Sequence, residues 1–213
     1  MEVDIIVDLR DRLGMIRDQG KRPTCMAFAA SDAHSFARAS SEPLSVEYAF
    51  FHAINRTVHK DRTRGIAFRH VSEAISKDGQ PLEADWSYLT NLSAGDDWSP
   101  PATVGRVFYR NSNKLAATMP VVYAGLDEGH PMILTTNIGI SFYQPNLKRL
   151  VLQPSTERTI ATHALLAVGY AKIERDRCVL VRNSWGERWA DKGYAWVHEG
   201  YLKTRLLGVG AMV

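Results

Sequence analysis

The chain has 213 residues, of which 45% are hydrophobic and 23% are charged, and its formal net charge is +3. This composition is typical of a globular protein and excludes a disordered chain, a collagen-like repeat and a low-complexity scaffold. The nearly balanced charge gives little reason to expect nucleic acid or an anionic membrane surface as a partner, and no apolar run approaches the roughly 18 residues that span a bilayer.

The first half of the chain is predicted to be mainly helical. Thr24 is a candidate N-cap for a helix that begins at Cys25 and continues with few helix breakers. Ser45 is predicted to cap a second helix over 46–58, and a third helix over 68–77 should end at the Asp-Gly pair that follows it. The inward stripe of the first helix is predicted to contain Cys25, Phe28, Ala29 and Phe36.

The second half is predicted to consist mainly of strands. A segment rich in Ser, Asn, Gly, Asp and Pro over about 86–101 is a long connection and a candidate lobe boundary, and Pro120 is expected to start a short helix. The strands, rich in β-branched and aromatic residues, are predicted at 131–140, 159–173, 177–184 and 192–199. Helices followed by strands indicate an α+β fold in two lobes, with the substrate expected in the cleft between them.

A cysteine stands at the predicted start of the first helix. There, the backbone N–H groups and the helix dipole favour the thiolate of Cys25 over the thiol. The N–H of Cys25 is an unpaired donor, and the side-chain amide of Gln19 is a candidate second donor toward a developing oxyanion. On this segment alone, a buried structural cysteine is an equally good interpretation.

Two residues in the second half are candidate partners of a nucleophilic thiol. His163 lies in a predicted apolar strand, where an imidazole must find hydrogen-bond partners, although a histidine there is more often a satisfied core residue. Asn183 follows another predicted strand, and its carbonyl oxygen can accept from an imidazole and fix the ring's orientation. Trp185 is placed to cover that hydrogen bond, although an ordinary Asn-Ser turn would read the same way. His34, nine residues after Cys25 in the same helix, is predicted to face away from the thiol.

Together these segments resemble the papain family of cysteine peptidases. The resemblance runs through most of the chain, and His163 and Asn183 follow Cys25 by 138 and 158 residues, near the family's spacing of about 130–150. The matching segments are Asp8-Leu9-Arg10, Gln19-Gly20, Cys25-Met26-Ala27-Phe28, Leu44-Ser45, Thr162-His163-Ala164, Val168-Gly169-Tyr170, Asn183-Ser184-Trp185-Gly186, Trp189 and Gly193-Tyr194.

The resemblance implies a helical left lobe, a β-barrel-like right lobe and an active cleft between them. We expect a single papain-like domain over 1–213, with the helical lobe over roughly 15–100, the β-rich lobe over roughly 101–205, and termini that can cross between them. The implied roles are Cys25 as nucleophile, His163 as general base and then acid, Asn183 as orienter of the imidazole, and Gln19 as oxyanion donor. Trp185 is implied to shield the pair of His163 and Asn183.

The resemblance also assigns substrate-binding residues. One of them is Thr162, which directly precedes His163. Trp189 is implied to flank the leaving-group side of the cleft, and Met212 to floor an apolar pocket for the side chain of the second residue before the scissile bond. Gly65 is the nearest counterpart of the family's Gly-rich stretch, which has no clean match here. Arg22 stands where the family has a cysteine, so the disulfide made from that cysteine is expected to be absent.

The sequence therefore predicts a cysteine endopeptidase, of a compact bacterial type, that acts on a peptide or protein substrate without a cofactor or a resident metal. A transpeptidase or acyltransferase with the same thiol, and a non-catalytic peptide-binding protein on the same fold, are the alternatives. Nucleic acid and membrane are not expected as partners, whereas a regulatory protein remains open. The N-terminal segment does not read as a secretory signal, so a cytoplasmic location is expected.

Overall fold

The computed structural model describes residues 3–93, 95–143, 151–152 and 156–213. The helices are α1 (Cys25–Ala37), α2 (Val46–Ile54), α3 (Phe68–Lys77), α4 (Met119–Asp127), α5 (Ile140–Tyr143) and α6 (Glu199–Arg205), and a short 3-10 helix covers Arg10–Arg12. The strands are β1 (Val3–Asp8), β2 (Ser112–Leu115), β3 (Met132–Ile138), β4 (Val151–Leu152), β5 (Ala161–Ile173), β6 (Asp176–Arg182), β7 (Tyr194–His198) and β8 (Leu206–Met212). None of the described helices is long and apolar enough to cross a membrane.

The helix predictions hold in position, with differences at the caps. The hydroxyl of Ser45 accepts a hydrogen bond from the N–H of Tyr48 at 3.1 Å and so caps α2. That helix ends at Ile54, earlier than the sequence indicates. The side chain of Thr24 does not cap α1, because its hydroxyl instead pairs with the hydroxyl of Tyr88 at 2.8 Å.

Phe28, Ala29 and Phe36 of the inward stripe predicted on α1 are buried, and so is most of the helix around them. Ten of the thirteen residues of α1 are buried, from Met26 to Phe36 with the exception of Asp32. A helix that is apolar nearly all round lies inside the molecule rather than on its surface. This central position places the first residue of the helix, Cys25, at the contact between the helices and the sheet.

The predicted barrel is wrong as well. The strands form one eight-stranded sheet in the order β2-β8-β3-β5-β6-β7-β4, with β1 paired to the far half of β5. Among the described residues, no pairing joins the two ends of this path, so the sheet is open. The α+β class and the papain-like architecture hold, but the strand-rich part is an open and largely antiparallel sheet.

The sheet separates two hydrophobic cores. Along β5, Ala164, Leu166 and Val168 pack against α1, α2 and α3, whereas Leu165 and Ala167 belong to a second core with α4 and α6. Successive side chains of a strand point to opposite faces, and the apolar run of β5 therefore supplies both cores. The amino-terminal end of β5 thus lies beside the start of α1, where the candidate site is found.

Candidate active site

The thiol of Cys25 lies at the junction of α1 and β5. Cys25 is half-buried, and it lines one cavity together with His163 and Ala164 of β5. The backbone N–H groups of Ala164, Met26 and Cys25 itself favour its thiolate. Ala164 directly follows His163, so the cavity brings the thiol beside the strand that carries the predicted base. The two residues, 138 positions apart in the sequence, therefore meet at one site.

The imidazole of His163 is held by Asn183. Its Nε2 donates to the Oδ1 of Asn183 over 2.8 Å, and both residues are buried. Asn183 follows the last residue of β6, and its backbone N–H donates to the carbonyl oxygen of Gly193 at 2.9 Å. The same Oδ1 also accepts from the N–H of Ser184 at 2.8 Å, which fixes the amide from two sides. With Nε2 engaged, Nδ1 is the ring nitrogen left for the thiol.

An aromatic cover lies over this hydrogen bond. The ring of Trp185 packs on that of His163 with 4.6 Å between ring centroids. The ring of Tyr143, in α5, stacks on Trp185 with 4.8 Å between ring centroids. Gly186, after the tryptophan, has a φ of +72°, and an added Cβ would lie 2.9 Å from a carboxylate oxygen of Asp18. The turn therefore needs glycine there. This geometry suits the role expected of Trp185, since a stacked indole excludes water from the imidazole–amide pair.

Gln19 lies between the two halves of the site. Its Nε2 donates to the carbonyl oxygen of Arg22 at 2.7 Å, and its Oε1 accepts from the hydroxyl of Ser184 at 2.7 Å. Its backbone N–H also donates to the carbonyl oxygen of Ser184 at 2.8 Å. The amide is thus fixed beside both the segment that leads into Cys25 and the residue after Asn183. A primary amide carries two N–H groups, so one besides that bound to Arg22 can serve an incoming oxygen.

Burial governs the acid–base state of the pair. Burial raises the pKa of the Cys25 thiol, against the opposing effect of the three N–H groups around the sulfur. Burial likewise lowers the pKa of His163 from 6.5 to about 4, against the effect of the hydrogen bond to Asn183. Desolvation thus opposes the N–H groups at the start of the helix, which favour the thiolate as the sequence predicts.

A cavity of about 480 Å³ opens beside the thiol, between the helices and the sheet. Its helical side includes Gly65 and Phe68, and its sheet side includes Thr162. Gly65 and Thr162 therefore lie where the sequence places them, next to Cys25 and His163. The complete lining is Cys25, Met26, Gly65, Ile66, Ala67, Phe68, Arg69, Lys114, Thr135, Thr162, His163, Ala164, Leu207 and Gly208.

Two residues predicted to contact substrate, Trp189 and Met212, do not line this cavity. Trp189 is only 6% exposed, stacks on Phe142 and donates its indole N–H to the carbonyl oxygen of Phe142, so it supports the aromatic cover from the core. Met212 is 5% exposed and packs in the core of α1, α2 and α3. The carboxy-terminal strand lines the cavity at its other end, through Leu207 and Gly208.

An ionic anchor that the sequence motifs do not mark links α1 to the end of β6. Asp32 accepts from the Nε of Arg182 at 2.7 Å and from an Nη of Arg17 at 2.6 Å. Arg182 also donates to the hydroxyl of Tyr194 and to the carbonyl oxygen of Gly14. Burial alone would raise the pKa of Asp32, but the two guanidinium groups outweigh it and lower that pKa. Arg182 immediately precedes Asn183, so the anchor sets the position of Asn183 relative to the helix of Cys25. The sequence signal for this anchor is the charge of Arg182 at the end of an apolar strand.

Arg22 occupies the position of the family's cysteine and forms a buried ion pair. Its two Nη groups donate to the carboxylate of Glu47 at 2.6 and 2.7 Å, in α2. Glu47 is fully buried and also accepts from the indole of Trp98 and from the N–H of Leu89. Both Cys25 and Cys178 are free thiols. An ion pair therefore ties the segment before Cys25 to α2 and to the long connection after α3.

Comparisons with known proteins agree with this geometry. Residues 126–207 match the model of the papain family cysteine protease. A cysteine protease of Blomia tropicalis is 26% identical over 202 residues, which are 89% of this chain and 59% of that protein. Cathepsin J of Mus musculus is 28% identical over 195 residues, 84% of this chain and 55% of that protein. The chain thus spans less than two thirds of the length of these curated relatives.

Solved structures have the same fold. Xylellain, a cysteine protease from Xylella fastidiosa, superposes with a TM-score of 0.80 at 20% identity, covering 97% of this chain and 84% of that one. The Carica candamarcensis cysteine protease CMS1MS2, solved in complex with E-64, superposes with a TM-score of 0.77 at 17% identity, covering 97% of both chains.

Proposed function

Because the chain belongs to the papain family of cysteine peptidases, we propose that it is a thiol peptidase that hydrolyses peptide bonds with Cys25 as its nucleophile. One observation carries the proposal. Cys25 lines one cavity with His163 and with Ala164, the residue after it, while His163 donates to Asn183 over 2.8 Å. A thiol, an imidazole and an orienting amide in this order are the parts that nucleophilic catalysis by cysteine needs.

The first step forms an acyl-enzyme. The thiol proton moves to the Nδ1 of His163 as the sulfur attacks the carbonyl carbon of the peptide bond, and the carbonyl oxygen becomes an oxyanion. The backbone N–H of Cys25 and the side-chain amide of Gln19 are the donors proposed for that oxyanion. The imidazolium then gives its proton to the leaving amine, the C–N bond breaks, and a thioester remains on Cys25.

The second step returns the free enzyme. A water molecule attacks the thioester while His163 takes its proton, and the imidazolium then protonates the departing sulfur. The carboxylic acid product leaves with the oxygen of that water. Throughout both steps the hydrogen bond to Asn183 keeps the ring facing the sulfur, and Trp185 limits the access of water to that bond.

Burial opposes charge on either member of the pair alone, since it raises the pKa of Cys25 and lowers that of His163 to about 4. Proton transfer from sulfur to imidazole creates two opposite charges side by side, each of which stabilises the other. The two groups are therefore expected to become charged together, and the N–H groups of Ala164, Met26 and Cys25 favour the thiolate.

Cleavage of a peptide library by the wild-type protein and by Cys25→Ala tests the proposal directly. We expect cleaved products from the wild type and none from Cys25→Ala, with circular dichroism showing that both proteins are folded. Cys178→Ala, which removes the other free thiol from a buried strand position, is the matched control and should retain activity. Full cleavage by Cys25→Ala would end the proposal.

The same digestion distinguishes hydrolysis from transfer. With a large excess of an added amine, a transpeptidase or acyltransferase gives amide products, which mass spectrometry separates from the acids that hydrolysis yields. We expect acids to predominate. Binding of peptides without any cleavage would instead indicate the non-catalytic alternative.

A further inference from the structure

Two cations line the cavity beside Cys25, and no acidic side chain does. They are Arg69, in the first turn of α3, and Lys114, in β2. The rest of the lining is apolar or neutral apart from His163, the proposed base. A water-filled cavity with charges of one sign and low-dielectric walls concentrates the opposite charge.

Neither cation is neutralised by a carboxylate among the residues that the structure describes. Lys114 takes part in none of the described ion pairs and its side chain is exposed. Arg69 donates through Nε to the Nε2 of His70 at 3.1 Å, which leaves its terminal N–H groups for another acceptor. Most other arginines near the site already form ion pairs with carboxylates, as Arg22 does with Glu47.

Strand register relates Lys114 to the strand of His163. Lys114 pairs with Gly210 of β8, Gly210 pairs with Ile133 of β3, and Ile133 pairs with Leu166 of β5, three residues beyond His163. With strands about 4.8 Å apart and a rise of about 3.3 Å per residue, the backbones of Lys114 and His163 are about 14 Å apart across the sheet and about 10 Å along it, or about 17 Å in all. A lysine side chain directed toward the site covers about 6 Å, which leaves about 11 Å, or about three residues of an extended peptide, to a substrate at Cys25.

The wall between the two cations is apolar and shaped by glycine. A Cβ added at Gly210 would lie 2.4 Å from the ring of Phe68, so the absence of a side chain lets that ring lie against the strand. Phe68 and Leu207 line the cavity and offer contact to methylene groups. An acidic side chain with an aliphatic stem fits this combination of apolar wall and cationic rim.

A second cavity adjoins the first. It has a volume of about 550 Å³ and shares Gly65, Ala67 and Arg69 with the first. Arg56 and Arg64 also line it, but each is paired with a carboxylate, Arg56 with Asp78 and Arg64 with Asp61. Among the described residues, Arg69 is thus the arginine of this lining that has no carboxylate partner.

We propose that the cavity selects substrates with an acidic side chain, preferably glutamate, within three residues of the scissile bond, and that Lys114 and Arg69 determine this specificity. The inference rests on the proposed function, which makes the cavity beside Cys25 the place of the substrate. It differs from the apolar pocket that the sequence assigns to Met212, which is not in the lining of this cavity.

Peptide binding to the Cys25→Ala protein tests this specificity without the need for turnover. Fluorescein-labelled heptapeptides, identical except for Glu, Gln or Lys at one position, are compared by fluorescence anisotropy as that position is moved along the peptide. At one position we expect the Glu peptide to bind about fivefold more tightly than the Gln peptide, and the Lys peptide more weakly than either.

Lys114→Glu or Arg69→Glu should reduce this preference, and the double change should reverse it in favour of Lys. Lys172→Glu, an exposed charge reversal at the far end of β5, is the matched control and should leave the order unchanged.

The same peptides with the wild-type protein separate the two proposals. Equal binding of the Glu and Gln peptides at every position, or a Glu preference that survives both charge reversals, would overturn the acidic specificity whether or not the peptides are cleaved. A Glu preference that the double reversal inverts would support the specificity even if the wild type cleaves nothing, a result that would overturn only the hydrolytic function.

Discussion

At the scale of single residues, the chemistry depends on how few orientations the imidazole can adopt. His163 is 5% exposed, its Nε2 is bound to Asn183, and its face is covered by Trp185. A ring held on two sides presents the same nitrogen to the sulfur at every encounter. Preorganisation of this kind accounts for a large share of the rate in nucleophilic catalysis.

Asn183→Ala should therefore reduce kcat with little effect on KM. Without the amide oxygen the ring can rotate, and a misoriented base costs about 10- to 100-fold in rate. Steady-state kinetics on the best peptide of the library measure the change. Asn55→Ala, at an exposed position after α2, is the matched control and should behave like the wild type. Unchanged kinetics in Asn183→Ala would mean that the imidazole needs no such partner.

The sequence identified the chemical groups better than the surfaces around them. Cys25, His163, Asn183 and Gln19 could be found because each has a functional group and a recognisable neighbour in sequence. Met212 and Trp189 do not line the cavity beside Cys25, because whether a residue of a strand or turn lines a cavity depends on packing that spacing alone does not encode. The roles of all these residues in catalysis stay predictions until they are tested.

At the scale of elements, α1 and β6 carry the two halves of the site and are joined by charge. Asp32 of α1 lies between Arg182 of β6 and Arg17, and the side chain of Arg182 is 2% exposed. A buried ionic group of this kind contributes little net stability when intact, but loss of one member leaves uncompensated charge. Here it also fixes the distance between the helix of Cys25 and the strand that ends before Asn183.

Asp32→Asn should lower both stability and activity. The change keeps the shape of the side chain but leaves the buried guanidinium group of Arg182 without a counter-charge and that of Arg17 with only Glu83, at 3.7 Å, at a cost of about 3 kcal/mol. Urea unfolding at pH 7, followed by circular dichroism, measures the loss, and the peptide assay measures activity. Glu73→Gln, which breaks an exposed ion pair in α3, should leave the unfolding midpoint unchanged. Equal midpoints for Asp32→Asn and the wild type would contradict the role of the anchor.

Periodicity and capping residues predicted most of the helices and strands, but not how the strands pair or whether the sheet closes into a barrel. Ser45 and Pro120 mark helix starts that the structure confirms. By contrast, β1 has an exposed apolar pattern and is defined by its pairing with β5, a contact distant in sequence. The open sheet has the same cause, since closure depends on strand pairing across the whole chain.

At the scale of the whole molecule, burial of neutral histidines links stability to pH. His34 is fully buried in α1, and its Nδ1 donates to the Oε1 of Gln80 at 2.9 Å. Burial lowers the pKa of His34 from 6.5 to about 4, with Arg110 and Arg38 acting in the same direction. Between these two pH values the unfolded chain binds more protons than the folded one, so stability must fall as the pH falls from 6.5 to 4.

His34→Gln should make this dependence shallower. The shift of His34 from 6.5 to about 4 corresponds to about 3 kcal/mol of stability that is present above pH 6.5 and lost by pH 4. The free energies of unfolding of the wild type and the variant, from urea titrations between pH 4 and pH 7, should therefore differ by about this much more at pH 7 than at pH 4. Parallel curves would show that His34 does not carry the effect. The cytoplasmic location expected from the sequence stays a separate prediction that these measurements do not address.

The central claim is that the sulfur of Cys25 is activated by His163 across the junction of α1 and β5. The rate at which a peptidyl chloromethyl ketone labels the protein, followed by intact mass spectrometry and peptide mapping, tests it most directly. The account predicts one adduct, on Cys25 and not on Cys178, and labelling that slows by about 100-fold or more in His163→Ala. Labelling of His163→Ala at the wild-type rate, or an adduct on Cys178 in the folded protein, would contradict it.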